Sequence, residues 1–141
     1  MNVLLLVNLL NMSVQSDFFK AKLENETDPS DLKESISKGE AIVIIDARSA
    51  EAYENEHIPG AVSFPHRTMN AENTAKLDIS KTYVTYCDGI GCNASTKGAF
   101  KLAELGFKVK ELMGGIDWWK RDGYETHGTK STSGISVNCS C

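Results

Sequence analysis

The sequence predicts an α/β domain with a mostly parallel central sheet and helices on both faces. Strand-like segments alternate with helix-like segments of ordinary length, the pattern of strand–helix–strand crossovers. The run "AIVIID" (Ala41–Asp46) is continuously apolar and rich in β-branched residues, as a central strand covered on both faces requires. The chain has 141 residues, 41% apolar and 24% charged, enough for one core without covalent staples.

The elements follow in order. "FFKAKLE" alternates, with Phe19, Ala21 and Leu23 on one side and Lys20, Lys22 and Glu24 on the other, which reads as a half-buried strand. In "TDPSDLKESISKG", Asp28 caps a helix, Pro29 suits its first turn and Asp31 meets the positive end of its dipole. Leu32 and Ile36 form its apolar pair, and Gly39 ends it. After the Ala41–Asp46 strand, "SAEAYENE" reads as a short helix capped by Ser49. A turn at Pro59–Gly60 leads into a short strand near Val62–Phe64, and Thr68–Ser80 reads as a short helix and a loop. "KTYVTYC" is the next strand. From Ala94 to Leu105 a helix carries Ala99, Leu102, Ala103 and Leu105 on one stripe and stops at Gly106. "FKVKEL" is a strand, and "GGIDWWKRDGY" is a glycine turn followed by a short helix ending at Gly123.

The domain is expected over residues 17–127. Residues 1–16, with the apolar run Val3–Leu10 broken by Asn8, read as a loosely packed extension or a weak targeting segment, too short to span a membrane. Residues 128–141, rich in Ser, Thr and Gly, read as a flexible tail with no role assigned to Cys139 and Cys141. A cytoplasmic protein without a membrane segment is expected. The net charge of −4 and the lack of a basic block argue against nucleic-acid binding. The four cysteines match neither a small disulfide framework nor a zinc knuckle, and no metal or organic cofactor is expected.

Cys87 reads as a buried, inert thiol or, preferably, as the residue that carries chemistry. It stands at the carboxyl end of a predicted central strand, where open parallel sheets bind ligands. The loop Asp88–Asn93 then leads into a helix. Gly89 and Gly91 let that loop curl with its amides inward, and amides at a helix N-terminus make an anion-binding nest. The same field favours thiolate, the nucleophilic form.

Three segments, in this order, resemble the rhodanese-like (sulfurtransferase) family: "IIDARSAEAYENEHIPGAVSFP", "YVTYC" and "KLAELGFKVKELMGGIDWWKRDGY". The resemblance runs from about Phe19 to Tyr124. It implies the three-layer rhodanese-like fold and names Cys87 as the catalytic sulfur carrier. A donor such as thiosulfate or a persulfide would load it, and a thiol, on a small molecule or a protein, would accept the sulfur. Asp88, Gly89, Ile90, Gly91, Cys92 and Asn93 are the implied substrate-binding loop, with Arg48 on its rim. The loop departs from many family members in carrying no Arg or Lys, which makes the thiosulfate dianion a poor donor. It is similar to a subgroup with a Cys-x4-Cys-Asn loop.

Several residues have two readings. Cys92 is a resolving thiol or a small packing residue, and packing is preferred because a disulfide needs a specific geometry. Arg48 supplies the missing loop charge or, preferably, pairs with Asp46 or Glu51. His57 fixes a turn rather than moving protons. His66 and Arg67 contact substrate or, preferably, lie in a solvated loop. Of Trp118 and Trp119, one packs in the core and one lies near the surface. The competing function is a non-catalytic binding or redox-sensing module using Cys87 and Cys92. A cysteine-dependent phosphatase or arsenate reductase ranks lower, because no arginine follows Cys87 before Arg121.

Overall fold

The computed structural model describes residues 1–131. Its elements are α1 (Val3–Asn25), β1 (Glu26–Thr27), α2 (Pro29–Ser37), β2 (Ile42–Asp46), α3 (Ala50–Asn55), β3 (Val62–Ser63), a 3-10 turn (His66–Thr68), α4 (Ala71–Thr74), β4 (Thr82–Tyr86), α5 (Ala94–Glu104), β5 (Lys108–Leu112) and α6 (Gly115–Arg121). The five strands form one parallel sheet in the order β1-β5-β4-β2-β3, the α/β architecture expected.

The core has two halves, one on each face of the sheet. Because side chains alternate along a strand, Ile44, Val84, Tyr86 and Leu112 point to one face, where they meet Leu32 of α2 and Ile116 and Trp119 of α6. Ile45 and Tyr83 point to the other, against Met69 and Leu102. Trp119 is buried and its Nε1 donates to the Glu125 carbonyl at 2.8 Å, while Trp118 is 40% exposed, so the pair divides between core and surface as expected.

The helix caps form as their residues imply. Asp28 accepts from the Asp31 amide at 2.8 Å and Ser49 from the Ala52 amide at 3.2 Å. Leu32 is buried, but Ile36 is 39% exposed. His57 fixes a turn: its Nδ1 lies 2.7 Å from the Tyr53 carbonyl, its ring stacks on Tyr53, and its backbone pairs with His127.

Two expectations are corrected. "FFKAKLE" is not a strand but the end of α1. Lys, Ala, Leu and Glu are good helix formers, and Lys20–Glu24 and Lys22–Glu26 close i, i+4 ion pairs at 3.8 and 3.1 Å. The strand in this region is only Glu26–Thr27. The buried stripe of α5 is Ser95, Gly98 and Leu102, not the alanine stripe, and Ala103 is exposed. A side chain at Gly98 would press on Met69 and Ala47, which sets how closely α5 approaches the sheet.

The boundary expected at residue 16 falls inside α1, whose described side chains are all exposed, Leu4 at 67% and Leu10 at 61% among them. Among the described residues, no helix is long and apolar enough to cross a membrane. The amides of Thr129 and Lys130 donate to the carbonyls of Glu54 and Asn55 at 3.0 and 2.8 Å, so the start of the expected tail lies against α3. Cys139 and Cys141 lie outside the described residues.

Candidate active site

The parallel register sets the site. Asp46 of β2 stands beside Tyr86 of β4, and the Ala47 amide continues the ladder to the Tyr86 carbonyl at 3.1 Å. The chain therefore leaves both strands at one level, and Arg48 comes level with the Cys87–Asp88 segment.

Cys87 is 1% exposed at the end of β4. Its carbonyl accepts from the Ile116 amide at 3.0 Å, and the Asp88 carbonyl from the Asp117 amide at 2.9 Å. The first turn of α6 thus fixes the base of the loop. This close approach requires glycine at position 115, with φ +58°: a Cβ there would overlap the Cys87 carbonyl oxygen. The loop then folds back, its Cys92 amide donating to the Gly89 carbonyl at 3.2 Å and Gly91 taking φ +92°. Asn93 sits at the N-cap of α5, where its carbonyl accepts from the Lys97 amide at 2.9 Å and its side chain makes no capping bond. Ile90 is 82% exposed at the loop tip.

Cys87 and Cys92 are joined as a disulfide, with a Cα–Cα distance of 6.2 Å. The preference for Cys92 as a packing residue is thereby corrected: the fold-back of the loop supplies the separation and direction that sequence spacing could not show.

Arg48 forms the preferred ion pair with Asp46 and also reaches the loop. Its Nε and Nη2 donate to Asp46 Oδ1 and Oδ2 at 3.0 and 2.7 Å, and Nη2 also donates to the Glu56 carbonyl at 2.6 Å. Its further partner is Asp88 rather than Glu51, Nη1 to Oδ1 at 2.9 Å. Burial works against the charge of Arg48, but Asp46 and then Asp88 outweigh it, and the guanidinium is held above its ordinary pKa. The Tyr86 hydroxyl donates to Asp46 Oδ2 at 2.8 Å and accepts from the Ile58 amide at 3.1 Å. Burial first, and the Asp46 charge second, push Tyr86 above its usual range. Asp46 is thus a buried carboxylate with both oxygens bonded.

The loop separates two cavities. The first, of about 520 Å³, is lined by Cys87, Gly89, Cys92, Ser95, Glu111 and Gly114, with Lys22 and Glu26 at its border. The second, of about 510 Å³, is lined by Arg48, Pro65, His66, Arg67, Asp88 and Cys92. His66 and Arg67 therefore border the loop's other side. Burial first, then Lys101, Lys97 and Arg67, hold His66 below its ordinary pKa.

Sequence reasoning missed Glu111. Its Oε1 accepts from the hydroxyls of Ser95 and Thr96 at 2.8 and 2.7 Å, which places a carboxylate at the first turn of α5, bordering the Cys87 cavity. The signal was a glutamate one residue before the buried end of a strand, in "KVKEL". Cys87, Asp88 and Cys92 also bring three potential metal-ligand atoms within 4.8 Å of one another. With both sulfurs bonded to each other, that group offers no thiolates in this form.

Comparison with known proteins agrees with the fold. The rhodanese-like domain family matches residues 28–122. The thiosulfate sulfurtransferase GlpE of Coxiella burnetii is 40% identical over 81 residues, covering 56% of this chain and 72% of GlpE. An HTH-type transcriptional regulator of Mycobacterium tuberculosis is 30% identical over 82 residues, covering 58% of this chain but 36% of the regulator. The crystal structure of the BH2092 protein from Bacillus halodurans is similar with a TM-score of 0.79 and 44% identity, over 84% of this chain and 88% of that one. With the parallel sheet, the strand-end cysteine and a family match across most of the described domain, the chain belongs to the rhodanese-like domain family.

Proposed function

We propose that the protein is a sulfurtransferase, or persulfide carrier, that takes a sulfane sulfur onto Cys87 and passes it to a thiol acceptor. The observation that carries this reading is the position of Cys87. It ends a central strand, opens on the first cavity, and is joined by a glycine-bearing loop to the N-terminus of α5. Kinship with a named thiosulfate sulfurtransferase supports it.

The chemistry starts from the reduced form. The Cys87 thiolate attacks the sulfane sulfur of the donor, the donor's S–S bond breaks, and its thiolate or sulfite leaves. An acceptor thiolate then attacks the outer sulfur of the Cys87 persulfide, takes that sulfur away and returns Cys87 as thiolate. The residues Asp88, Gly89, Ile90, Gly91, Cys92 and Asn93 frame the persulfide in this reading, as a Cys-x4-Cys-Asn loop would. Arg48 holds the frame through Asp46 and Asp88 rather than gripping the donor. With Glu26 paired to Lys22, the Glu111 carboxylate is the charge on the cavity wall that suits a persulfide donor better than the thiosulfate dianion.

Intact mass measurement of the reduced protein tests this. Exposure to a low-molecular-weight persulfide adds one sulfur atom to Cys92→Ser but not to the double variant that also carries Cys87→Ser. No sulfur on Cys92→Ser with either persulfide or thiosulfate overturns the reading. The disulfide favours a second reading, a non-catalytic module that binds a partner according to the redox state of Cys87 and Cys92. Under it neither donor adds sulfur, and oxidation alone changes the protein's behaviour.

A further inference from the structure

We propose that Cys92 is the resolving thiol of the sulfur-transfer cycle, so that the domain releases hydrogen sulfide and rests as the Cys87–Cys92 disulfide until a thiol resets it. The inference rests on Cys87 as the sulfur carrier.

Loop geometry makes this possible. Residues 88–93 lie wholly between the end of β4 and the start of α5. The fold-back held by the Cys92 amide on Gly89, with Gly91 at φ +92°, brings the two Cα atoms to 6.2 Å. That separation is within the range of ordinary disulfides. Bond formation therefore leaves every helix and strand in place. A persulfide on Cys87 has Cys92 within reach of its inner sulfur, the same atom to which Cys92 is bonded in this structure.

The step balances in atoms and electrons. The Cys92 thiolate attacks the inner sulfur of Cys87–S–SH. The bond between Cys87 and Cys92 forms, the bond to the outer sulfur breaks, and that sulfur leaves as HS⁻ with the electron pair. The sulfane sulfur is reduced and the two cysteines are oxidised. A reducing thiol, monothiol or dithiol, restores the pair. Its thiolate attacks Cys92 and expels the Cys87 thiolate, and a second thiol then frees Cys92 as the reductant becomes a disulfide.

Exposure sets the direction of reset. Cys87 is 1% exposed, whereas Cys92 is half-buried and lines both cavities. An incoming thiolate reaches the sulfur of Cys92, and the thiolate that departs is the one at the strand end beside α5. The second cavity gives Cys92 an approach that does not pass Cys87.

A single-turnover experiment tests this. Fully reduced, desalted protein is mixed in excess with a limiting low-molecular-weight persulfide, without added thiol, and sulfide and intact mass are followed. The expected result is about one sulfide per donor from the wild type, with a fraction of the protein equal to the donor ending two hydrogens lighter than the dithiol form. Cys92→Ser and Cys92→Ala instead keep the added sulfur and release sulfide at least tenfold more slowly until thiol is supplied. If the wild type keeps its persulfide, or Cys92→Ser releases sulfide as fast as the wild type, the resolving role is overturned while the carrier reading stands. If Cys92→Ser gains no sulfur at all, both fall together.

Discussion

Arg48 and Asp46 form a bidentate pair inside the protein: the Asp46 carboxylate is fully buried and the Arg48 side chain is 9% exposed. The pair joins the end of β2 to the cysteine loop through Asp88 and to the end of α3 through the Glu56 carbonyl. Removing one partner leaves an uncompensated buried charge. Arg48→Ala is expected to destabilise the domain by about 3–5 kcal/mol. Arg48→Lys should recover little of that, because an ammonium cannot reproduce the fork. Urea unfolding of the three proteins checks this, and a loss below about 1 kcal/mol for Arg48→Ala would contradict it.

Gly115 and Gly39 both have positive φ, at +58° and +70°, but only Gly115 faces a neighbour. Gly39→Ala should cost about 1–2 kcal/mol, the strain of a left-handed residue. Gly115→Ala adds a collision with the Cys87 carbonyl and should cost clearly more. It should also change the rate at which a thiol reagent labels Cys87 in the reduced protein. Equal losses from the two substitutions would show that the α6 turn does not fix the cysteine.

His66 is held below the ordinary imidazole value of 6.5, by burial first and then by Lys101, Lys97 and Arg67. Its Nδ1 is buried without a hydrogen-bond partner among the described residues. Between the folded and unfolded pKa values the unfolded chain binds more protons, so this contribution is complete above about pH 6.5. It falls as pH drops through the folded value. An imidazole titration followed by NMR should place His66 below about 6.5, and His66→Gln should flatten the acid side of the stability profile. A midpoint above that ordinary value would refute the assignment.

Glu111 borders the cavity that holds Cys87, with its carboxylate tied to Ser95 and Thr96. Glu111→Gln keeps a carbonyl oxygen as acceptor and removes the charge. Loading by thiosulfate should speed up about fivefold, the equivalent of about 1 kcal/mol of relieved repulsion, while loading by an uncharged persulfide changes less. Equal changes for both donors would mean that Glu111 acts on the fold of α5 rather than on donor charge.

What could be read from the sequence was what depends on near neighbours. The apolar run of β2 and the caps Asp28 and Ser49 are local devices, and they form as read. "FFKAKLE" misled because seven residues of alternation fit a helix surface as well as a strand, while the true edge strand has only two residues. The site divided in the same way. The strand-end place of Cys87 was legible. The Arg48–Asp88 pair spans forty residues and depends on β2 and β4 lying side by side in register. The Cys87–Cys92 bond depends on how a glycine loop folds back, and the Glu111 contacts depend on α5 packing over β5.

The order β1-β5-β4-β2-β3 has one more consequence. Each flank of the sheet is a strand of two residues. Both flanks pair only at the carboxyl end of the sheet, Glu26 and Thr27 beside Glu111 and Leu112, and Val62 and Ser63 beside Ile45 and Asp46. β2 and β4 pair along five residues, while β3 reaches only the last two residues of β2. The sheet is therefore five strands wide only in its last two rows, and the short flanks brace the same end at which the chain leaves β4 for Cys87.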